Sequence, residues 1–209
     1  MAYPSALDLQ AANTALARIS ERGISAFNEN SPAARAVARL YPVVRALMFA
    51  AADWRFATAR ALLTPATGNL SYPWLHEFPM PGNVSRARMV LPTEVGPYGV
   101  GGDPVPFEEG VATVAGAEAR VIRCDLPQPV LVYTQLILDP ALWDDGFFSA
   151  FTVQLAAELA LPITNNGQLA QAMRAEAQQA VAVQQPAGQA QSITPQSRGP
   201  STTTAARDA

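Results

Sequence analysis

The sequence predicts an α+β fold: a helical bundle with an inserted antiparallel β-sheet and an extended C-terminal tail. Three observations predict it. Apolar residues recur at helical spacing over residues 5–63 and again over 140–183. Between them, residues 64–139 are rich in Pro and Gly and carry only short apolar runs, the pattern of strands and turns. After residue 183 the apolar pattern stops. The expected organisation is therefore one domain, residues 1–183, followed by a tail, residues 184–209.

The elements follow in order. Ser5 with Asp8 forms an acidic variant of the capping box. Leu9, Ala12, Leu16 and Ile19 then make one helical stripe, and Gly23 is the expected stop. Ser31-Pro32 starts a second helix, with a cap residue before Pro at the first helical position. Val37, Leu40, Val44, Leu47, Ala51 and Trp54 are expected on one face, the helix lasting to about Leu63, with Pro42 kinking it near Leu40-Tyr41. Trp54 and Phe56, two positions apart on that helix, should diverge by about 200°. One should face the first helix and the other the late helix of Phe147 and Phe151.

Residues 86–91, 111–115, 119–124 and 130–138 read as strands, with Ala115-Gly116-Ala117 as a hairpin connection. Residues 93–105 form a long Gly/Pro loop, a length that is usually functional in a compact domain. A third helix starts at Asp139-Pro140 and carries Phe147, Phe148, Phe151, Leu155 and Leu159. Pro162 should break it, and Thr164 should cap a last helix bearing Leu169, Met173, Ala177 and Val181.

Ile193 is the only large apolar side chain in residues 184–209. Such a segment buries too little surface to offset its ordering entropy. It is expected to be disordered alone and held by another chain when docked. The formal net charge is −3 and all 14 cations are Arg, which leaves no basic footprint for gripping nucleic acid. The start MAYPSALDLQ lacks a basic segment and an apolar core, so no secretory leader is expected. No apolar run approaches the length of about 18 residues that spans a membrane.

Candidate chemistry is sparse. His76 is the sole histidine and Cys124 the sole cysteine. A nucleophilic thiol or a Ser-His-Asp triad would have to recruit His76. A packing role beside Trp74 and Phe78 is the simpler reading of that histidine. The glycines of residues 96–102 are not followed by GK[ST], so a phosphate-binding loop is not expected. Glu108-Glu109 should diverge on a strand, and Asp144-Asp145 should serve a helix N-terminus. No cofactor, metal or catalytic residue is expected.

Several landmarks then stand in a recognisable order. Ala11-Ala12-Asn13 and Leu16-Ala17-Arg18-Ile19 come first, followed by Ser31, Ala34, Tyr41-Pro42-Val43-Val44-Arg45 and Leu47. Trp54-Arg55-Phe56-Ala57, Arg60, Leu63, Tyr72, Phe78-Pro79-Met80-Pro81 and Arg88-Met89-Val90 come next. Leu136, Trp143, Phe147, Phe151, Leu155-Ala156-Ala157 and Leu159-Ala160 close the series. This order resembles the head-to-tail adaptor of short-tailed bacteriophages, the tail tubular protein A family, over residues 5–183. The Tyr-Pro and Trp-Arg-Phe-Ala pairing is its most specific part, with Arg55 where the pattern usually has Asn.

The resemblance implies a non-enzymatic virion subunit, made in the bacterial host cytoplasm. It implies a twelve-fold ring that joins the portal protein to the tail nozzle protein, with a tail fibre as a further partner. Double-stranded DNA would pass through the ring without specific binding, and no membrane is involved. The tail is the expected portal contact, through Gln184, Gln185, Pro186, Ile193, Pro195, Arg198 and Arg207. The loop is the expected contact to the nozzle or a neighbouring subunit, through Gly96, Tyr98, Gly99, Gly101 and Asp103. A soluble scaffolding or peptide-binding module, and a carboxylate-based tail hydrolase, are the alternative readings.

Overall fold

A computed structural model describes residues 5–66, 72–93, 95–96, 99–100 and 102–190. The fold is α+β. The elements run α1 (Ala6–Arg18), α2 (Pro32–Ala51), β1 (Thr58–Leu62), β2 (His76–Pro79), β3 (Val84–Pro92), β4 (Val95–Gly96), β5 (Gly99–Val100), β6 (Glu108–Val114), β7 (Ala117–Cys124), β8 (Pro129–Gln135), α3 (Asp145–Thr164) and α4 (Gly167–Ala190).

Helix α1 begins on the capping box that Ser5 and Asp8 predict. The Asp8 carboxylate accepts from Ser5 N at 2.7 Å and also from the buried Tyr41 hydroxyl at 2.8 Å. One side chain thus starts α1 and ties it to α2. The helix ends at Arg18, before Gly23, where Ser20 takes a left-handed conformation (φ 58°). Ser20 N and Glu21 N then bond back to Ala17 O and Leu16 O, satisfying carbonyls that a helix end leaves open. Asn13 clamps the chain beyond, donating to Ile24 O and accepting from Ile24 N.

Helix α2 starts at Ser31-Pro32 as expected and continues through Pro42. Pro42 cannot donate to Ala38 O, but both residues are exposed, so water can serve that carbonyl. The buried face is Val37, Tyr41, Val44 and Met48, while Leu47 and Ala51 point outward, contrary to expectation. The helix stops at Ala51 rather than Leu63. The Trp54 indole N–H donates to Met48 O at 2.6 Å and closes one of the free terminal carbonyls. Beyond the turn, residues 58–62 form β1 on β8. Trp54 and Phe56 therefore do not diverge. Both rings meet Phe147, at 4.8 and 5.2 Å between centroids.

Helix α3 is capped by Asp144, which accepts from Phe147 N at 2.6 Å. Pro162 sits exposed in its last turn and does not break it. Asn165 ends it in a left-handed conformation. Asn166, not Thr164, caps α4, accepting from Gln168 N and Leu169 N. By length and apolarity α3 could cross a membrane, against the expectation that no segment would, yet here it is the core helix. Phe147, Phe151, Leu155 and Leu159 join the cluster of α1 and α2, while Val153 and Ala157 pack on Ala177 of α4. Positions 155 and 157 differ by about 200° on a helix, so α3 is covered from opposite sides. Each large side chain buried there is worth about 1.5–3 kcal/mol. Helix α4 runs on to Ala190 and takes in Gln184, Gln185 and Pro186, since Ala and Gln favour helix. Residues 191–209 lie outside the described residues.

The insert holds two three-stranded antiparallel sheets rather than one, ordered β1-β8-β3 and β2-β7-β6. They share one core: Val90, Leu131 and Tyr133 from the first, Phe78, Ile122 and Cys124 from the second. The β6–β7 hairpin turns at Ala115 and Gly116, with φ of 51° and 84° between the paired Val114 and Ala117. Two positive φ values define the twist-matched two-residue turn.

Arg88 joins the module to the bundle. Its guanidinium donates to Thr134 Oγ1, Thr58 Oγ1 and Trp54 O at 2.8–2.9 Å and pairs with Asp53 at 3.1 Å.

Trp54→Ala should lose both the ring contact to Phe147 and the cap on Met48 O. A destabilisation of about 3–5 kcal/mol is expected, read from denaturant midpoints. A midpoint equal to that of the unaltered protein would show that the indole is dispensable to the core.

Candidate functional site

The loop expected to contact a partner is a hairpin extension between β3 and β6. Its base is closed by the bridge Val90–Val105, with Val105 N donating to Val90 O at 2.9 Å. Further out, Val95 pairs with Val100 and Gly96 with Gly99. Gly96 and Gly99 thus sit opposite each other in a short ladder, and Asp103 is exposed in the irregular segment that returns to Val105. Tyr98 and Gly101 lie outside the described residues, as do Ile193, Pro195, Arg198 and Arg207 of the tail.

The residues weighed for chemistry have structural partners. His76 is in register with Cys124 on β2 and β7. The thiol is buried and lies 4.0 Å from Leu126 O, and burial pushes its pKa up, away from the nucleophilic thiolate. Glu108 and Glu109 diverge as expected, the first to Arg123 and the second to Arg120. Among the described residues no group of three or more His, Cys, Asp or Glu is placed to hold a metal ion.

A polar row missed in the sequence crosses the outer face of the second sheet. Glu77, Arg123 and Glu108 lie side by side in register on β2, β7 and β6. Arg123 donates to Glu77 Oε2 at 2.8 Å and to Glu108 Oε1 at 3.0 Å. Gly110 leaves room for it, since a Cβ there would stand 2.9 Å from the Arg123 guanidinium. The Trp74 indole N–H donates to Glu108 Oε2 at 2.9 Å. Leu75 N donates to Asp125 Oδ1 at 3.0 Å. These bonds present a loop whose Tyr72 and Leu75 are 95% and 71% exposed. Only the spacing of Glu, Arg and Glu on separate strands could have signalled the row, and β2 is too short to be read from periodicity.

Two further features are exposed or open. On α2, Val43 and Leu47 are 52% and 62% exposed. An open cleft of about 590 Å³ lies where Glu21, Arg22, Ile24 and Glu29 meet Pro162 and Ile163. Its polar wall is already engaged: Glu29 accepts from Ser25 N and Oγ, which lowers its pKa.

No protein-family model matches this chain, and no curated protein matches it.

The bond from Trp74, followed by that from Arg123, holds Glu108 below the ordinary glutamate pKa of 4.5. A depressed folded value stabilises the folded state fully above 4.5 and loses that effect as pH falls through the lowered value. Urea midpoints taken from about pH 6 to pH 3 should therefore fall less steeply for Glu108→Gln than for the unaltered protein. Equal slopes would remove Glu108 from the acid response.

Proposed function

We propose that this chain is a structural subunit of a ring that joins the portal to the tail nozzle of a short-tailed bacteriophage and continues the DNA exit channel. The observation that carries the reading is the closure of the early and late helices around α3 with the β module inserted between them. That is the architecture the family resemblance implies, and the resemblance spans residues 5–183. The exposed apolar side chains of α2 and of the Tyr72–Leu75 loop support it, since an assembly component needs surfaces that stay unsatisfied until partners arrive. The acidic balance suits a conduit, because phosphate is repelled rather than held.

In this reading residues 191–209, beyond the end of α4, supply the portal-docking arm, and the hairpin of residues 93–105 faces the nozzle or a neighbouring subunit. Weak contacts repeated around a ring act together at high effective concentration. The working place of the protein is the neck of the virion.

Ending the chain after Ala190 leaves every described element in place. The truncated protein should keep the helical circular-dichroism spectrum and melting temperature of the full chain but lose binding to the portal ring of the same phage in mass photometry. Portal binding at full strength without residues 191–209 would show that the arm is not the attachment.

A further inference from the structure

We propose that the open edge of β1 on one copy of this chain pairs with the open edge of β6 on the next copy, joining the first sheet of one to the second sheet of the other. The proposal rests on the ring reading above and states which strands close the ring.

Among the described residues, each three-stranded sheet has one covered edge and one open edge. In the first sheet β3 is covered at Val90, whose carbonyl accepts from Val105 N at 2.9 Å. In the second β2 is covered at Glu77, whose carbonyl accepts from Ala66 N at 2.8 Å. Strands β1 and β6 are left. Gln135 N donates to Ala57 O, and Leu63 N donates to Pro129 O, so the odd-numbered residues of β1 face β8. The N–H and C=O groups of Arg60 and Leu62 therefore point away from the sheet. On β7, Arg120 O accepts from Met80 N, on the side away from β6. Its register partner Val111 thus belongs to a pair without mutual hydrogen bonds. Val111 and Glu109 turn their N–H and C=O groups outward.

An open strand edge, unlike an apolar patch, specifies its cover. Among protein surfaces only another extended backbone matches its alternating donors and acceptors. The sequence marks the same two edges. Proline and bulges are devices by which a sheet refuses a further strand. Strand β2 contains Pro79, and β3 contains Pro92 and two register shifts. Strands β1 and β6 contain no proline and pair in unbroken register.

Position and side chains select the pairing. Strand β3 leads through Val105 into β6, and β1 leads through Ala66 to β2, so the open edges lie on opposite sides of the module. Two different edges on opposite sides make a head-to-tail contact, in which each copy gives one edge and receives the other. Leu62 and Val111, 60% and 62% exposed, would share one face of the joined sheet. Arg60 is exposed and has no ion pair among the described residues. Glu109 offers Arg120 only its Oε2, which leaves Oε1 for a cation from a neighbour. Opposite charges across a strand pair stabilise it, and like charges destabilise it. A twofold β1–β1 contact would bring two Arg60 side chains together. A twofold β6–β6 contact would leave Arg60 and the β1 edge unmatched.

The test removes one outward donor. Leu62→Pro deletes an N–H that bonds to nothing within the copy, at an edge position of the kind where proline is tolerated. Leu62→Ala is the control, since it shortens the side chain and keeps the N–H. Assembly of the full chain is followed by native mass spectrometry, alone and with the portal that the proposed function gives it as partner. Leu62→Pro should keep the unaltered melting temperature and raise the concentration needed for assembly at least ~10-fold, with a smaller rise for Leu62→Ala. An equal rise for Leu62→Ala would assign the contact to the side chain, and unchanged assembly of Leu62→Pro would remove β1 from it. Either result overturns the pairing. A cysteine pair decides the matter should the proline variant unfold. Leu62 and Val111 are exposed, and native Cys124 is buried. The double variant Leu62→Cys with Val111→Cys is treated with a flexible bismaleimide, whose reach tolerates a slip of two residues, about 7 Å. A ladder extending beyond dimer, made only when both cysteines are present, is the expected result. Dimers from either single variant would overturn the pairing in favour of a twofold contact. A closed oligomer by mass without linkage between positions 62 and 111 would overturn the pairing and leave the ring reading standing. Monomers at every concentration and with the portal would overturn both.

Discussion

Helix α3 cannot present either side to water, and the rest of the structure follows from that constraint. Its apolar residues are distributed around the axis instead of forming one stripe. A helix of that kind must be covered from more than one direction. Helices α1 and α2 join Phe151 and Leu155 in one cluster that also takes in Ala170 of α4, and α4 covers Val153 and Ala157 as well. The bundle is therefore layered, with one helix in the middle and an outward flank on each side. The same layering leaves the outer face of α2 and the outer face of α4 uncovered by a second layer among the described residues.

The β module is locked to this bundle by the aromatic cluster around Phe147 and by Arg88. Phe49, Trp54, Phe56 and Trp143 all approach Phe147, with centroids at 4.5–5.2 Å. They come from α2, from the turn after it and from the connection before α3. Arg88 then fixes that turn to the first sheet through two threonines, a backbone carbonyl and Asp53. Burial lowers the pKa of Arg88, and Asp53 opposes that shift. Removing any one partner would leave part of a half-buried guanidinium without compensation. The position of the module relative to the bundle is thus set by contacts that few substitutions could replace.

Much of this was legible in the sequence where the signal is local. The Ser5–Asp8 box, the Ser31-Pro32 start and the Ala115-Gly116 turn are short-range chemistry, and each stands where its residues place it. The overrun of α2 to Leu63 has a non-local cause. Residues 52–57 carry no breaker, and the stop is made by an indole reaching back to Met48 O and by pairing with a strand some seventy residues onward. Strand β2 was invisible because four residues, with a buried glutamate among them, show no alternation until Arg123 is known to neutralise it. Pro162 misled because a proline in an exposed last turn costs little. Of the candidate site, the pairing of Gly96 with Gly99 could be placed in the fold, and Gln184, Gln185 and Pro186 proved helical. The Glu77–Arg123–Glu108 row and the outward turn of Leu47 depend on register and on helix phase, which spacing alone does not fix.

The measurement that tests the account most directly is a cryo-electron-microscopy reconstruction of this chain assembled with the portal and nozzle that the proposed function gives it as partners. The account predicts a ring of copies between portal and nozzle. In it the layered bundle of each copy should abut its neighbours, and the segment beyond Ala190 should reach towards the portal. Density for this chain at any other place, or as isolated copies outside a ring, would contradict it.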